Sequence, residues 1–136
     1  MRAPWTELYL HLVWSTWRRH PFITPELQPR LYGSLAHHCA ELGGDVIAIG
    51  GMPDHVHMLV RFPTTIAISD FVRRLKGGTS HLITKVLEWP EPFKWQGGYG
   101  AFTVSKHVPV IREYVLNQER HHSEGTIHAP LESIEQ

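Results

Sequence analysis

The sequence is poor in cysteine, in long apolar runs and in net charge. One cysteine, Cys39, stands among 136 residues. That excludes an internal disulfide framework and a Cys-rich zinc site, and it fits a reducing, cytoplasmic compartment. No apolar stretch approaches the roughly 18 residues of a membrane helix, so no membrane partner is expected. Residues 1–7 lack the apolar core of a signal peptide. Thirteen Lys and Arg offset thirteen Asp and Glu, which rules out a histone-like polycation and an acidic tail protein. Nucleic-acid binding stays open, because it needs only a local patch. Neither phosphate-cradling glycine pattern, G-x-x-x-x-G-K-[ST] or G-x-G-x-x-G, occurs. There is no repeat and no low-complexity tract. At 42% hydrophobic and 19% charged residues, the composition is that of one soluble domain with a core of its own.

What is abundant is histidine, with eleven residues. Near pH 6.5 about half would be protonated in an unperturbed chain, so the neutral charge count is conditional. Leu8 to Ser15 reads as a first strand. Thr24-Pro25-Glu26 opens a helix, carried by Leu27, Leu31, Leu35, His38 and Leu42 and ended by Gly43-Gly44. Asp45–Gly50 and His55–Phe62 read as strands of a hairpin joined by turn residues. A second helical region spans Thr65 to Glu88, with a weak point at Gly77-Gly78. Phe93–Gln96 and Tyr99–Val104 flank Gly97-Gly98, a second hairpin signal. Pro109 opens a third helix to about His122, and the polar tail from Ser123 is expected to be loose. One domain follows, with its core over about 5–122. The order β-α-β-β-α-β-β-α predicts an α+β fold with helices packed on an antiparallel or mixed sheet, close to the split βαβ pattern of ferredoxin-like folds.

Two constellations carry chemistry. In His55-Val56-His57 the strand pleat turns Val56, Met58, Val60 and Phe62 to one face and His55, His57, Leu59 and Arg61 to the other. Imidazoles roughly 6.5–7 Å apart along a strand can converge on one metal ion about 2.1 Å from each nitrogen. The same pair is also compatible with a polar sheet face satisfied by water or a neighbouring strand. On the third helix His107, Ile111, Tyr114, Gln118 and His121 share one face, either as a solvated stripe or as a functional one. Combined, the two constellations offer a divalent-metal site beside a phenol. A Tyr hydroxyl with a pKa near 10 is a poor nucleophile unaided, and a metal on a phosphate oxygen polarises the phosphorus for attack. The resulting phosphotyrosine ester keeps the energy of the cleaved bond for rejoining and needs no nucleotide.

Residues 51–60, Gly-Met-Pro-Asp-His-Val-His-Met-Leu-Val, resemble the HUH (His, hydrophobic, His) motif of the IS200/IS605-type single-Tyr transposases. Residues 113–122, Glu-Tyr-Val-Leu-Asn-Gln-Glu-Arg-His-His, are similar to that family's Tyr helix. His11-Leu12-Val13-Trp14, Leu75-Lys76-Gly77 and residues 95–102 resemble further family segments, so the likeness runs from about Trp5 to His122. It implies a ferredoxin-like homodimer that acts on single-stranded DNA beside imperfect hairpins. Carried over by position, Tyr114 would attack phosphorus, forming a 5′-phosphotyrosine and releasing a 3′-OH. His55, His57 and Gln118 would bind Mg²⁺ or Mn²⁺. Two imidazoles suit Mn²⁺ somewhat better, while cellular availability favours Mg²⁺. In that family the Tyr helix can be exchanged between subunits.

Asp54 can orient a ligand imidazole or simply start its strand. Arg73, Arg74 and Lys76, with Lys85 nearby, form a locally basic segment for phosphate contact, or a solvated face in which Asp70 pairs at i+3 or i+4. Arg18, Arg19 and Lys106 would extend a DNA track, with Trp17 available for stacking. His121 and His122 match the family helix without an assigned step. Two other classes compete: a metal-dependent phosphoesterase, and a domesticated relative of the REP-associated type that holds hairpin DNA without cutting it. Leu59 breaks both the H-x-H-x-H and the H-x-[ST] patterns of His-based phosphoesterases. Intact His55, His57, Tyr114 and Gln118 argue against lost chemistry.

Overall fold

Alternation along two central strands builds a sheet with unlike faces. The computed structural model describes residues 5–105 and 108–124, without the side chains of 121, 123 and 124. Its regular elements are β1 (Tyr9–Ser15), α1 (Gln28–Glu41), β2 (Asp45–Met52), β3 (His55–Arg61), α2 (Ile68–His81), β4 (Gly100–Val104), α3 (Val108–Leu116) and α4 (Gln118–Glu124). The strands lie in the order β2-β3-β1-β4, and every neighbouring pair is antiparallel. This is the expected α+β arrangement, resolved to a purely antiparallel sheet. No helix among the described residues is long and apolar enough to cross a membrane.

Leu10, Leu12 and Trp14 of β1, with Val56, Met58 and Val60 of β3, join Leu31 and Leu35 of α1 and Phe71 and Leu75 of α2 in the main core. Each such fully buried side chain contributes about 1.5–3 kcal/mol. The opposite face carries a smaller cluster, in which Ala48, Leu59 and Val104 meet Val115 of α3. A register shift between Val46 and Ala48 adjusts β2 to β3 just before the stretch under α3.

Three segments depart from the expected elements. Gly77-Gly78 does not break α2, which runs through it and continues as a π-helical turn, Leu82–Val86. A Cβ on Gly78 would lie 2.6 Å from the His38 ring, so this glycine lets α1 and α2 approach closely. The hairpin expected around Gly97-Gly98 does not form; β4 instead pairs alone with β1. Trp95 is drawn into the core, donating its indole N–H to Thr79 Oγ1 at 3.0 Å and bridging to Thr16 rather than to β4. The third helix divides at Asn117. There Asn117 Nδ2 donates to the Glu113 carbonyl at 2.8 Å and Gln118 Nε2 to the Tyr114 carbonyl at 2.7 Å. Side-chain amides thus compete with the backbone ladder. The tail expected to be loose lies, from residue 125, outside the described residues, as do Lys106 and His107.

Candidate active site

The site is built on the sheet face opposite the main core. β3 places His55 and His57 there at 1% and 0% exposure, with ring centroids 5.1 Å apart. Asp54, at the turn into β3, lies with Oδ1 2.7 Å from His55 Nδ1 and Oδ2 3.2 Å from Arg19 Nε. Desolvation raises the Asp54 pKa, but the His55 hydrogen bond and the His55 and Arg19 charges outweigh it and bring it down to about 2. An ionised carboxylate can only accept. His55 Nδ1–H therefore donates, and in neutral His55 the lone pair sits on Nε2. Of the two readings of Asp54, this geometry favours the orienting one.

The other half of the site comes from α3 and α4. The Tyr114 ring meets His57 edge-on, centroids 6.0 Å apart, and the His122 ring lies 5.1 Å from His55. Gln118 stands one turn from each, so the stripe Tyr114-Gln118-His122 lies along the His57-His55 row. The sequence stripe had run through His107 and His121, which fall outside the described residues or side chains. Gln118 is 1% exposed. Its Nε2 serves the Tyr114 carbonyl, and its Oε1 has no hydrogen-bond partner among the described residues. A buried amide oxygen on the helical stripe between Tyr114, which meets His57, and His122, which meets His55, is a donor of the kind a divalent cation with mixed nitrogen and oxygen ligands takes. No three His, Cys, Asp or Glu side chains among the described residues form a metal-holding group. A cation here would therefore depend on Gln118 as its third ligand.

Tyr114 is only 4% exposed. Close packing holds it there: Gly50 of β2, the register partner of His57, lies under the backbone of Val115. Two pockets border the site: one of about 340 Å³ lined by Arg19, Pro21, Met52, Pro53, Asp54, His55 and His122, and one of about 360 Å³ on the Gln118 side, against Gly50 and Gly51.

Sequence reasoning missed the part played by His11, singled out only within a family-like segment. Its ring is fully buried on β1, edge to edge with His57 and 16° from parallel to it, with 4.9 Å between centroids and Nε2 2.7 Å from His57 Nδ1. The signal available was its place between Leu10 and Leu12, which alternation assigns to the face opposite the core.

The basic residues divide. Arg73 and Arg74 are exposed on α2, and Arg73 pairs with Asp70 at 3.2 Å. Lys76 is placed differently from its two neighbours. It is partly buried, and its ammonium donates to the carbonyls of Gln96 at 2.6 Å and Gly98 at 3.0 Å, with burial lowering its pKa. Arg18 and Arg19 occupy a tight turn at φ 51° and 58°, a left-handed conformation that costs non-glycine residues. The turn is tied down by Trp17 N–H donating to the Lys94 carbonyl at 2.8 Å and Arg18 N–H to Gln96 Oε1 at 3.0 Å. Arg18 and Lys94 both lie over the Trp17 ring. Arg19 reaches the pocket, whereas Lys106 lies outside the described residues.

A family model described as IS200-like transposase matches residues 5–118. The chain is 31% identical over 118 residues to the ISDra2 transposase TnpA of Deinococcus radiodurans, covering 82% of this chain and 84% of that one. It is 30% identical over 70 residues to the transposase for insertion sequence element IS200 of Salmonella typhimurium, covering 48% of this chain and 46% of the relative. A crystal structure of a transposase candidate from Deinococcus radiodurans R1 aligns at a TM-score of 0.70 and 26% identity, over 92% of this chain and 95% of that one. The REP-associated tyrosine transposase bound to a REP hairpin shares the fold, with a TM-score of 0.65 and 16% identity over 90% of this chain and 72% of its own.

Proposed function

The chain belongs to the IS200-like transposase family, and from that premise we propose that it cleaves and rejoins single-stranded DNA beside hairpins, with Tyr114 as nucleophile. The observation that carries this reading is the placement of the Tyr114 phenol against His57, on the same helical stripe as the buried Gln118 oxygen. The phenolic oxygen attacks the scissile phosphorus and the P–O3′ bond breaks. The phenol proton passes to solvent, the departing 3′ oxygen takes one up, and the 5′ end remains on Tyr114 as a phosphotyrosine. Attack by a 3′-OH reverses these bonds and joins strands.

His55, His57 and Gln118 would hold Mg²⁺ or Mn²⁺. When bound, such an ion supplies Lewis-acid polarisation of the phosphate. Asp54 orients His55 and is itself held by Arg19. With Tyr114 buried, the strand enters by the Arg19–His55–His122 pocket, or α3 and α4 shift to present the phenol. A homodimer belongs to the same reading. The exposed Val110 and Leu116 of α3 support a second chain there, and sedimentation would measure it. Binding to hairpin DNA is supported by the REP hairpin in the fold relative and by exposed Arg73 and Arg74.

The test is incubation with single-stranded hairpin DNA and Mn²⁺ or Mg²⁺, followed by a denaturing gel. The expected result is a covalent protein–DNA adduct that EDTA prevents and Tyr114→Phe abolishes, with hairpin binding retained. An adduct that survives Tyr114→Phe overturns the nucleophile assignment, and cutting without an adduct favours a hydrolase.

A further inference from the structure

His57 cannot act as a ligand through Nε2 in both of its neutral tautomers. If Nε2 carries the proton, no lone pair is left there to donate. The choice is made by whatever meets Nδ1, and in this fold that is His11 Nε2, at 2.7 Å. We propose that His11 is a positioning residue: it accepts the His57 Nδ1–H, holding His57 in the tautomer whose Nε2 can bind a cation. This deepens the metal reading of the site and rests on it.

The geometry favours this role over simple packing. His11 and His57 are diagonal neighbours across β1 and β3, since His57 registers with Val13 and His11 with Leu59. Both rings are fully buried, and they lie 16° from parallel. Filling the space alone would be met equally by Phe or Tyr, which do not place an in-plane acceptor 2.7 Å from Nδ1. His55 supplies the parallel case. Its Nδ1 is met by the Asp54 carboxylate, which enforces the same tautomer by charge. The two ligand imidazoles are thus set by different partners, one ionised at the pocket and one neutral and buried. For His11 to accept at Nε2, its own ring proton must reside on Nδ1, and that is a second observable.

Long-range ¹H–¹⁵N correlation on the metal-free, ¹⁵N-labelled protein reads both tautomers directly. The expected result is protonated Nδ1 and unprotonated Nε2 on His57, with unprotonated Nε2 on His11. Mn²⁺ affinity by titration calorimetry adds a second readout. His11→Phe, which keeps a ring and removes the acceptor, is expected to weaken Mn²⁺ binding by about 10–100-fold and to shift His57 toward the Nε2–H form. His11→Gln, which restores an acceptor oxygen near the Nε2 position, is expected to recover most of both. Nε2–H on His57 of the wild-type protein overturns the proposal, even if neither variant folds. So does unchanged Mn²⁺ affinity in a folded His11→Phe. A wild-type protein with the expected tautomers but no Mn²⁺ binding counts instead against the metal reading, with the His11–His57 bond upheld.

Discussion

Replacing Gly50 with alanine should move the helix that carries Tyr114 without touching a polar side chain of the site. A Cβ at this position would lie 1.9 Å from the Val115 carbonyl oxygen and 2.9 Å from its carbon. Both are backbone atoms of α3, so no side-chain rotation relieves the clash. Restoring ordinary contact at roughly 3.4 Å requires α3 to retreat from β2 by more than about 1 Å. Val115 adjoins Tyr114, and the Tyr114 carbonyl holds the Gln118 amide at 2.7 Å, so the phenol and the candidate ligand oxygen move together. Overpacking of this kind costs about 1–3 kcal/mol, and a displacement of about 1 Å at a reacting group costs roughly 10²-fold in rate. The assay is the initial rate of covalent adduct formation on hairpin DNA at saturating Mn²⁺, alongside thermal unfolding. Gly50→Ala should lower the adduct rate by about two orders of magnitude while most of the protein is still folded at the assay temperature. Wild-type rate together with wild-type melting would refute the reasoning, because it would mean that α3 does not lie on β2 at this point.

The Asp54 carboxyl is lowered from its ordinary 3.8 to about 2, equivalent to about 2 kcal/mol as an upper figure for a partly exposed group. Its native pKa is below its unfolded one, so this stability is fully present above about pH 4 and is lost as pH falls through 2. Urea midpoints of wild type and Asp54→Asn should therefore converge toward pH 2, and a constant gap would contradict the assignment. Lys76→Met should lower the melting temperature by freeing the Gln96 and Gly98 carbonyls, while leaving the salt dependence of hairpin binding unchanged. Arg74→Gln should do the reverse, reducing the slope of log affinity against log salt by about 1; a loss of slope in Lys76→Met would return that lysine to the DNA track.

Much of the site was legible because its patterns are local. The pleat alone set His55 and His57 on the face away from Val56 and Met58, and one helical turn set Gln118 beside Tyr114. Lys76 reads as one of a basic triplet until its ammonium is found on two carbonyls of a loop 20 and 22 residues away. The Gly97-Gly98 hairpin fails because Trp95 has a better partner in Thr79, 16 residues earlier. His11 carries no local mark beyond its alternation.

The sequence by itself determined the α+β pattern, the two strand histidines and the tyrosine–glutamine turn, since periods of 2 and 3.6 residues depend only on neighbouring backbone. Tertiary structure decided that the Tyr114 stripe lies over the histidine row, that Gly50 sets how closely it lies there, and that His11 meets His57 from another strand. Those outcomes depend on strand register and on which apolar faces bury each other, and both are set by contacts between residues far apart in the chain.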